Sequence, residues 1–402
     1  MRFIAIADSD SYLKWGAAFL GALPGVTERE LVLIETPVLP SDSQRAAALA
    51  VGGVAPEQLV SLPLNEVLGT LRREQPDAVL IALRGPVAAV LIRLIAELPH
   101  RPVIVTGLPG ISIPATRKAL AFRRQADLFV LHSKREIRDF TQLSREYGWT
   151  HRFALATLPF VEERTGANGT DLVFAAQAVV PRTADDRTRV LELLIAAARA
   201  DPSRRVVIKV RGVAGERQTH EEHLSYPELL EQATDVPANL VVSSAPMSAA
   251  LDEAQGLMTV SSTAAIEAIA RGIPVITLDV FGVTGKLINT VFEGSGLFGG
   301  EEVVVRREFR HPDPDWLDDN YFHMIEDDDV AVQLEALVAA RRQGVLPARE
   351  PARKAGGKLR LAWDRKRAFG DADRTVSGAV ALAVGTPARA TVIAARKVKR
   401  AL

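Results

Sequence analysis

Three hydroxyls and one carboxylate carry the clearest chemical signal in the chain. Ser261, Ser262 and Thr263 stand in a row, and Glu267 follows four residues past Thr263. An apolar run, Gly256–Val260, precedes them, and another, Pro274–Leu278, follows, so the stretch reads as strand, short helix, strand. Hydroxyls at the start of a helix cap its first turn, and free N–H groups at the positive end of the helix dipole attract an anion. Glu267 falls about one turn further on, on the same face as Thr263. The rest of the helix is small and apolar (Ala264, Ala265, Ile266, Ala268, Ile269), which demands packing on both sides. Gly272 suits the left-handed position after the helix, and Pro274 stops any continuation. An acid on an apolar helix, one turn from a phosphate-competent end, points to a nucleotide, with phosphate at the hydroxyls and ribose at the carboxylate. The bland alternative is a capped core helix in a doubly wound fold.

Further groups stand at predicted strand ends. Lys209 and Arg211 close the strand Arg205–Val210 and lead into a polar loop holding His220, Glu221, Glu222 and His223. Cations there suit the charge of a leaving phosphate, Arg through its planar fork. The His220/His223 pair has the wrong spacing for a helical zinc site, which needs i and i+4. Asp8, Ser9, Asp10 and Ser11 follow the first strand, where a carboxylate can take a proton from an attacking hydroxyl. Asp8 and Asp10 are therefore the base candidates, with an N-cap as the structural alternative. Lys14 lies on the helix that follows. Gly107 and Gly110, in Thr106–Ile111, allow close backbone approach to a ligand or simply make a turn.

The elements that position these groups alternate. Strands are expected at Phe3–Ala7, Leu31–Glu35, Ala78–Leu83, Pro102–Thr106 and Leu128–His132, with Phe153–Leu158 closing the first domain. Helices are expected at Tyr12–Leu23, Asn65–Glu74, Val87–Leu98, Arg117–Arg124 and Glu136–Tyr147. After a polar linker, Glu162–Thr170, the alternation restarts. Strands are read at Leu172–Ala176, Arg205–Val210, Leu240–Ser243, Leu257–Val260 and Val275–Leu278, with helices at Arg187–Ala200 and Pro227–Ala233. Continuous apolar strands separated by helices imply parallel sheets covered on both faces. The fold class is thus α/β, with two Rossmann-like domains in tandem at 1–161 and 171–342. Ligands of such pairs lie at the carboxyl ends of the strands, in the cleft between domains.

Two segments carry a resemblance to a known family. Glu267-Ala268-Ile269-Ala270-Arg271-Gly272-Ile273-Pro274-Val275 resembles the donor-binding segment of GT-B glycosyltransferases, and the serine pair before it is similar to that of bacterial capsule polymerases and polysialyltransferases. Ala126–Glu136 resembles an Ala-Asp…Ser-x-x-Glu segment of GT-B first domains, where Ser133 caps a helix and Glu136 completes a capping box. The resemblance implies a GT-B enzyme transferring a sugar from a nucleotide-activated donor to an envelope polysaccharide or glycolipid acceptor, without a metal or other cofactor. It assigns Ser261, Ser262 and Thr263 to phosphate, Glu267 to ribose, Lys209 and Arg211 to the leaving group, and Lys14, Gly107 and Gly110 to the acceptor side. The His-Pro pair of the capsule-type enzymes is missing where expected, since Glu follows His220; His220 enters the catalytic candidates by position alone. Other readings are a nucleotide-sugar 2-epimerase-like enzyme of the same fold and a non-catalytic sugar- or nucleotide-binding protein.

Composition narrows the rest. The 402 residues hold no cysteine, which removes disulfides, thiolate zinc sites and cysteine nucleophiles. No Gly-x-Gly-x-x-Gly, P-loop or nucleophile elbow occurs, and aromatic residues make up only 5%, against a nucleic-acid stacking platform. The first apolar stretch is too short for a signal peptide, so a cytoplasmic location is expected. Residues 343–402 carry 14 Lys plus Arg against 4 Asp plus Glu. Such a basic tail suits an anionic membrane surface, here the inner face of the cell membrane, or packs back on the body as a GT-B terminal helix does. The acidic run Glu326–Asp329 is expected to serve the start of a helix rather than a metal.

Overall fold

The computed structural model describes residues 1–159, 169–210, 224–350 and 356–387. The first sheet is built from β1 (Arg2–Ala7), β2 (Glu28–Ile34), β3 (Leu59–Leu62), β4 (Ala78–Ala82), β5 (Val103–Gly107), β6 (Leu128–Leu131) and β7 (Phe153–Leu155). Its order is β3-β2-β1-β4-β5-β6-β7, and every pairing is parallel. The second sheet comprises β8 (Asp171–Ala175), β9 (Val206–Lys209), β10 (Leu240–Ser243), β11 (Ala254–Thr259), β12 (Val275–Leu278) and β13 (Phe298–Gly299), in the order β10-β9-β8-β11-β12-β13. These pairings are parallel too.

Helices α1 (Asp10–Ala22), α2 (Asp42–Val51), α3 (Leu64–Glu74), α4 (Gly85–Ala96), α5 (Arg117–Phe122) and α6 (Lys134–Glu146) serve the first sheet. Helices α7 (Ala184–Ala200), α8 (Tyr226–Gln232), α9 (Met247–Asp252), α10 (Ala264–Ala270) and α11 (Glu301–Val305) serve the second. The central strands are sealed on both faces: Phe3 to Ala7, Ala78 to Ala82 and Val103 to Val105 are all essentially inaccessible. Continuous apolar runs therefore mark real strands, as double burial requires. Two of the edge strands, β3 and β13, escape that signal. Val60 of β3 is half exposed, and β13 is a two-residue pairing containing a glycine.

The last helices return to the first sheet. Helix α12 (Pro314–Asp319) sends Asp318 to Lys134 and Asp319 to Arg138 on α6. Helix α13 (Val330–Arg342), placed with the second domain by sequence, packs on the first sheet instead. Arg342 pairs with Asp77, Arg341 donates to the Arg101 carbonyl, and Gln333 bonds the Phe153 carbonyl. The acidic run docks this return: Asp329 accepts from Leu155 N at the end of β7, and Asp328 from Thr157 N two residues beyond it. Helix α14 (Gly357–Phe369) then lies on α4, with Phe369 fully buried and Trp363 nearly so. Both aromatics face the protein. A helical stretch follows at 376–387, and among the described residues no helix is long and apolar enough to cross a membrane.

Ser133 caps α6 as expected, accepting from Glu136 N at 3.0 Å. Glu136 closes the turn one residue early, however, accepting from His132 N rather than Ser133 N. Its other oxygen takes Ser112 N and the hydroxyl of Tyr321, at 2.9 and 2.6 Å. His132 is equally buried, accepting from Trp15 Nε1 at 2.8 Å while its Nδ1 bonds the Ala156 carbonyl at 2.7 Å. Burial pulls the His132 pKa from 6.5 to about 4 and pushes Glu136 up to about 6.

The two groups act on stability in opposite senses. Below pH 6.5 the unfolded chain protonates His132 and the folded chain does not, so this contribution is full above 6.5 and is lost as the pH falls toward 4. Glu136 adds stability as the pH falls from 6 to 4.5, because the folded state binds its proton first. The histidine effect is the larger, on the order of 3 kcal/mol. Urea unfolding of wild type and His132→Gln should show their difference in stability shrinking by about that amount between neutral pH and pH 4. A difference independent of pH would refute the buried neutral imidazole.

Candidate nucleotide cleft

In each sheet the strand order reverses once, between β1 and β4 and between β8 and β11. Such reversals open a crevice at the carboxyl ends of the two strands, where ligands of parallel α/β sheets bind. The first crevice carries Asp8, just past β1, and Arg84, just past β4. Asp8 is fully buried. Its Oδ1 accepts from Arg84 N at 3.1 Å and its Oδ2 from Arg84 Nε at 2.8 Å, while Arg84 Nη2 reaches Thr36 Oγ1 at 3.1 Å. Burial raises the Asp8 pKa and the Arg84 charge opposes that rise. Asp10, two residues on at the start of α1, is half-buried.

The second crevice carries Gln177, past β8, and the Ser261–Thr263 turn, past β11. Gln177 Oε1 accepts from Ser261 N at 3.0 Å, and Gln177 Nε2 donates to Ser261 Oγ at 3.2 Å. Thr259 Oγ1 accepts from Ser262 N at 3.1 Å. Ser262 Oγ accepts from Ala264 N, the first residue of the short α10, at 3.2 Å, while Thr263 holds the N-cap position without a side-chain cap bond. Ser261 is buried, while Ser262 and Thr263 are half-buried. Arg187 of α7 holds the Gln177 loop. Buried and stacked 4.5 Å from the Tyr226 ring centroid, it donates to the Gln177 carbonyl at 3.1 Å. Neither Gln177 nor Arg187 was singled out from sequence. Arg187 does share the face of Val190, Leu191 and Leu194, and a cation on an apolar face was the signal available.

The two crevices meet. Lys14 Nζ of α1 pairs with Glu267 Oε1 of α10 at 3.0 Å, although 253 residues separate them. A Cβ on Gly110 would lie 2.6 Å from Thr263 Oγ1, so that loop abuts the hydroxyl turn and has room only for glycine. The structure therefore brings Lys14, Gly110, Thr263 and Glu267 together, two from each domain. Gly107 is placed differently, since a Cβ there would fall 2.5 Å from the Trp15 ring. Packing accounts for that glycine. Lys209 ends β9 buried, its amine bonding the Val210 carbonyl. Arg211 and His220 lie outside the described residues.

A family model described as "Putative glycosyltransferase (DUF6716)" matches residues 3–337. The chain belongs to that family. No curated protein matches it. Among solved structures, a Methanocaldococcus jannaschii UDP-GlcNAc 2-epimerase in complex with UDP-GlcNAc and UDP superposes with a TM-score of 0.56 at 11% identity, covering 84% of this chain and 99% of that one. S. aureus MnaA with UDP gives 0.54 at 13% identity, covering 88% and 100%. The spinosyn rhamnosyltransferase SpnG gives 0.45 at 15% identity, covering 91% and 100%. At these identities the likeness concerns the fold, and the family member has the two Rossmann-like domains of GT-B enzymes.

Proposed function

We propose that the chain transfers a sugar from a nucleotide-activated donor to a saccharide or lipid-linked acceptor held in the cleft. The observation that carries this reading is the meeting of the two crevices through Lys14–Glu267 and Gly110–Thr263. Donor phosphate lies at Ser262 and Thr263, and the ribose hydroxyls donate to Glu267. Lys209 and Arg211 supply positive charge for the leaving phosphate, the task of electrostatic stabilisation in such a reaction. Asp10, half-buried at the start of α1, is better placed for the base than Asp8, which is fully buried with each carboxylate oxygen accepting from Arg84. Lys14 sits between the sites, tied to the donor-side acid.

A thermal-shift series with UDP, GDP, CMP, CDP and dTDP tests the donor site. One nucleotide should raise the midpoint, since a ligand at a hundred times its Kd adds about 2.7 kcal/mol to a fold that alone binds it. No shift with any of them at millimolar concentration would sink the reading. With the matching nucleotide-sugar, release of nucleotide should require an added acceptor. Inversion at the sugar C2 without acceptor, seen by NMR, would instead assign the 2-epimerase activity.

A further inference from the structure

The helical stretch at 376–387 contains no charged residue. Its small residues face the body: Gly378 and Ala381 are buried and Gly385 half-buried, at spacings of three and four that define one helix face. Ala381 packs with Trp363 and Ala362 of α14, Trp363 Nε1 bonds Thr386 Oγ1 at 3.3 Å, and a Cβ on Gly385 would fall 2.6 Å from the Trp363 ring. The outward side carries no charged residue. Val376, Val380 and Val384 repeat every four residues and are 80%, 52% and 54% exposed. Leu359 on α14 adds a further exposed side chain. Solvated helices put charge on that side.

Basic residues border this stripe. Lys358, Arg367 and Arg374 are exposed on the same C-terminal unit. The sequence beyond it adds Arg389, Arg396, Lys397, Lys399 and Arg400 with no acid among residues 388–402. We propose that the unit docks on an anionic lipid bilayer, with the 376–387 helix lying in the plane of the headgroups and its valines turned into the acyl boundary. Apolar area and cationic side chains are the two terms that hold an interfacial helix to anionic lipid. A second copy of the chain is the poorer partner, because a symmetric contact would set two basic rims against each other. The unit is fixed to the first domain at its base: a Cβ on Gly370, just past α14, would lie 2.5 Å from Pro37, three residues beyond the carboxyl end of β2. The proposal and its test do not depend on the reading of the cleft.

Flotation of the full chain with vesicles decides the matter. Vesicles of phosphatidylcholine with phosphatidylglycerol should carry the protein at low salt, and phosphatidylcholine alone should not. Val380→Asp with Val384→Asp, and separately Lys397→Gln with Lys399→Gln and Arg400→Gln, should each weaken partitioning about tenfold or more. The two valines are exposed, so the thermal midpoint of the first variant should match wild type. No partitioning to the anionic vesicles, or equal partitioning of the valine variant, would overturn the proposal. So would a vesicle-free dimer that the same valine substitutions dissociate, because the apolar face would then belong to a second copy.

Discussion

Glu267→Ala is expected to weaken nucleotide binding between about tenfold and about a hundredfold, the range set by one hydrogen bond to a charged group. In the proposed complex a ribose hydroxyl donates to this carboxylate, whose side chain is only 17% exposed. The substitution also strips Lys14 of its partner, and the two effects need separating. Lys14 is itself part-exposed, at 28%, so losing the ion pair alone should cost no more than about 1 kcal/mol of stability. Lys14→Ala is the discriminating control. If Glu267 serves the nucleotide directly, calorimetric titration should show a large loss in Glu267→Ala and a small one in Lys14→Ala. Equal losses would mean that the acid only closes the cleft through Lys14, and the ribose assignment would fall.

Arg187→Ala is expected to destabilise the second domain by about 3 kcal/mol, since carbonyls that depend on a buried donor lose it and a cavity opens beside Tyr226. The guanidinium is 1% exposed and holds the Gln177 loop by its backbone. That loop in turn fixes Ser261 through both ends of the Gln177 amide. Donor affinity should therefore fall beyond what partial unfolding explains. Gln177→Ala provides the comparison, because it removes the Ser261 bonds and leaves the core intact. Denaturant unfolding should find Gln177→Ala close to wild type in stability, with nucleotide binding reduced as in Arg187→Ala. A stable Arg187→Ala protein would show that the loop is held by other means.

Much of this architecture was legible because double burial writes itself into sequence. Ala78–Ala82 and Val103–Val105 are unbroken apolar runs for that reason, and Ser133 with Glu136 announced the start of a helix. Two of the four edge strands were not legible, since β3 exposes Val60 and β13 offers two residues, while β7 and β10 were. The Ser261–Glu267 stretch stood out because its hydroxyls, its acid and its Gly-x-Pro ending are contiguous. Its supports did not, because Gln177 stands 84 residues from Ser261 and Arg84 stands 76 from Asp8. Local pattern offers a candidate group; only the topology, by choosing which strand ends lie side by side, names what holds it. Glu136 shows the same limit. The pattern gave its cap, and the fold added Tyr321, 185 residues away.

The return of α12, α13 and α14 to the first sheet makes the second domain a guest within the first. The host is discontinuous, formed by residues before 160 and again after about 313, and the guest lies between two crossings of the same cleft. Truncation after the first crossing would strip the host of the helices that cover Phe153, Asp77 and α4. The guest has both ends on one side. The second domain is therefore portable as a single cassette, exchanged between relatives by two cuts, whereas the first can be exchanged only as two pieces moved together.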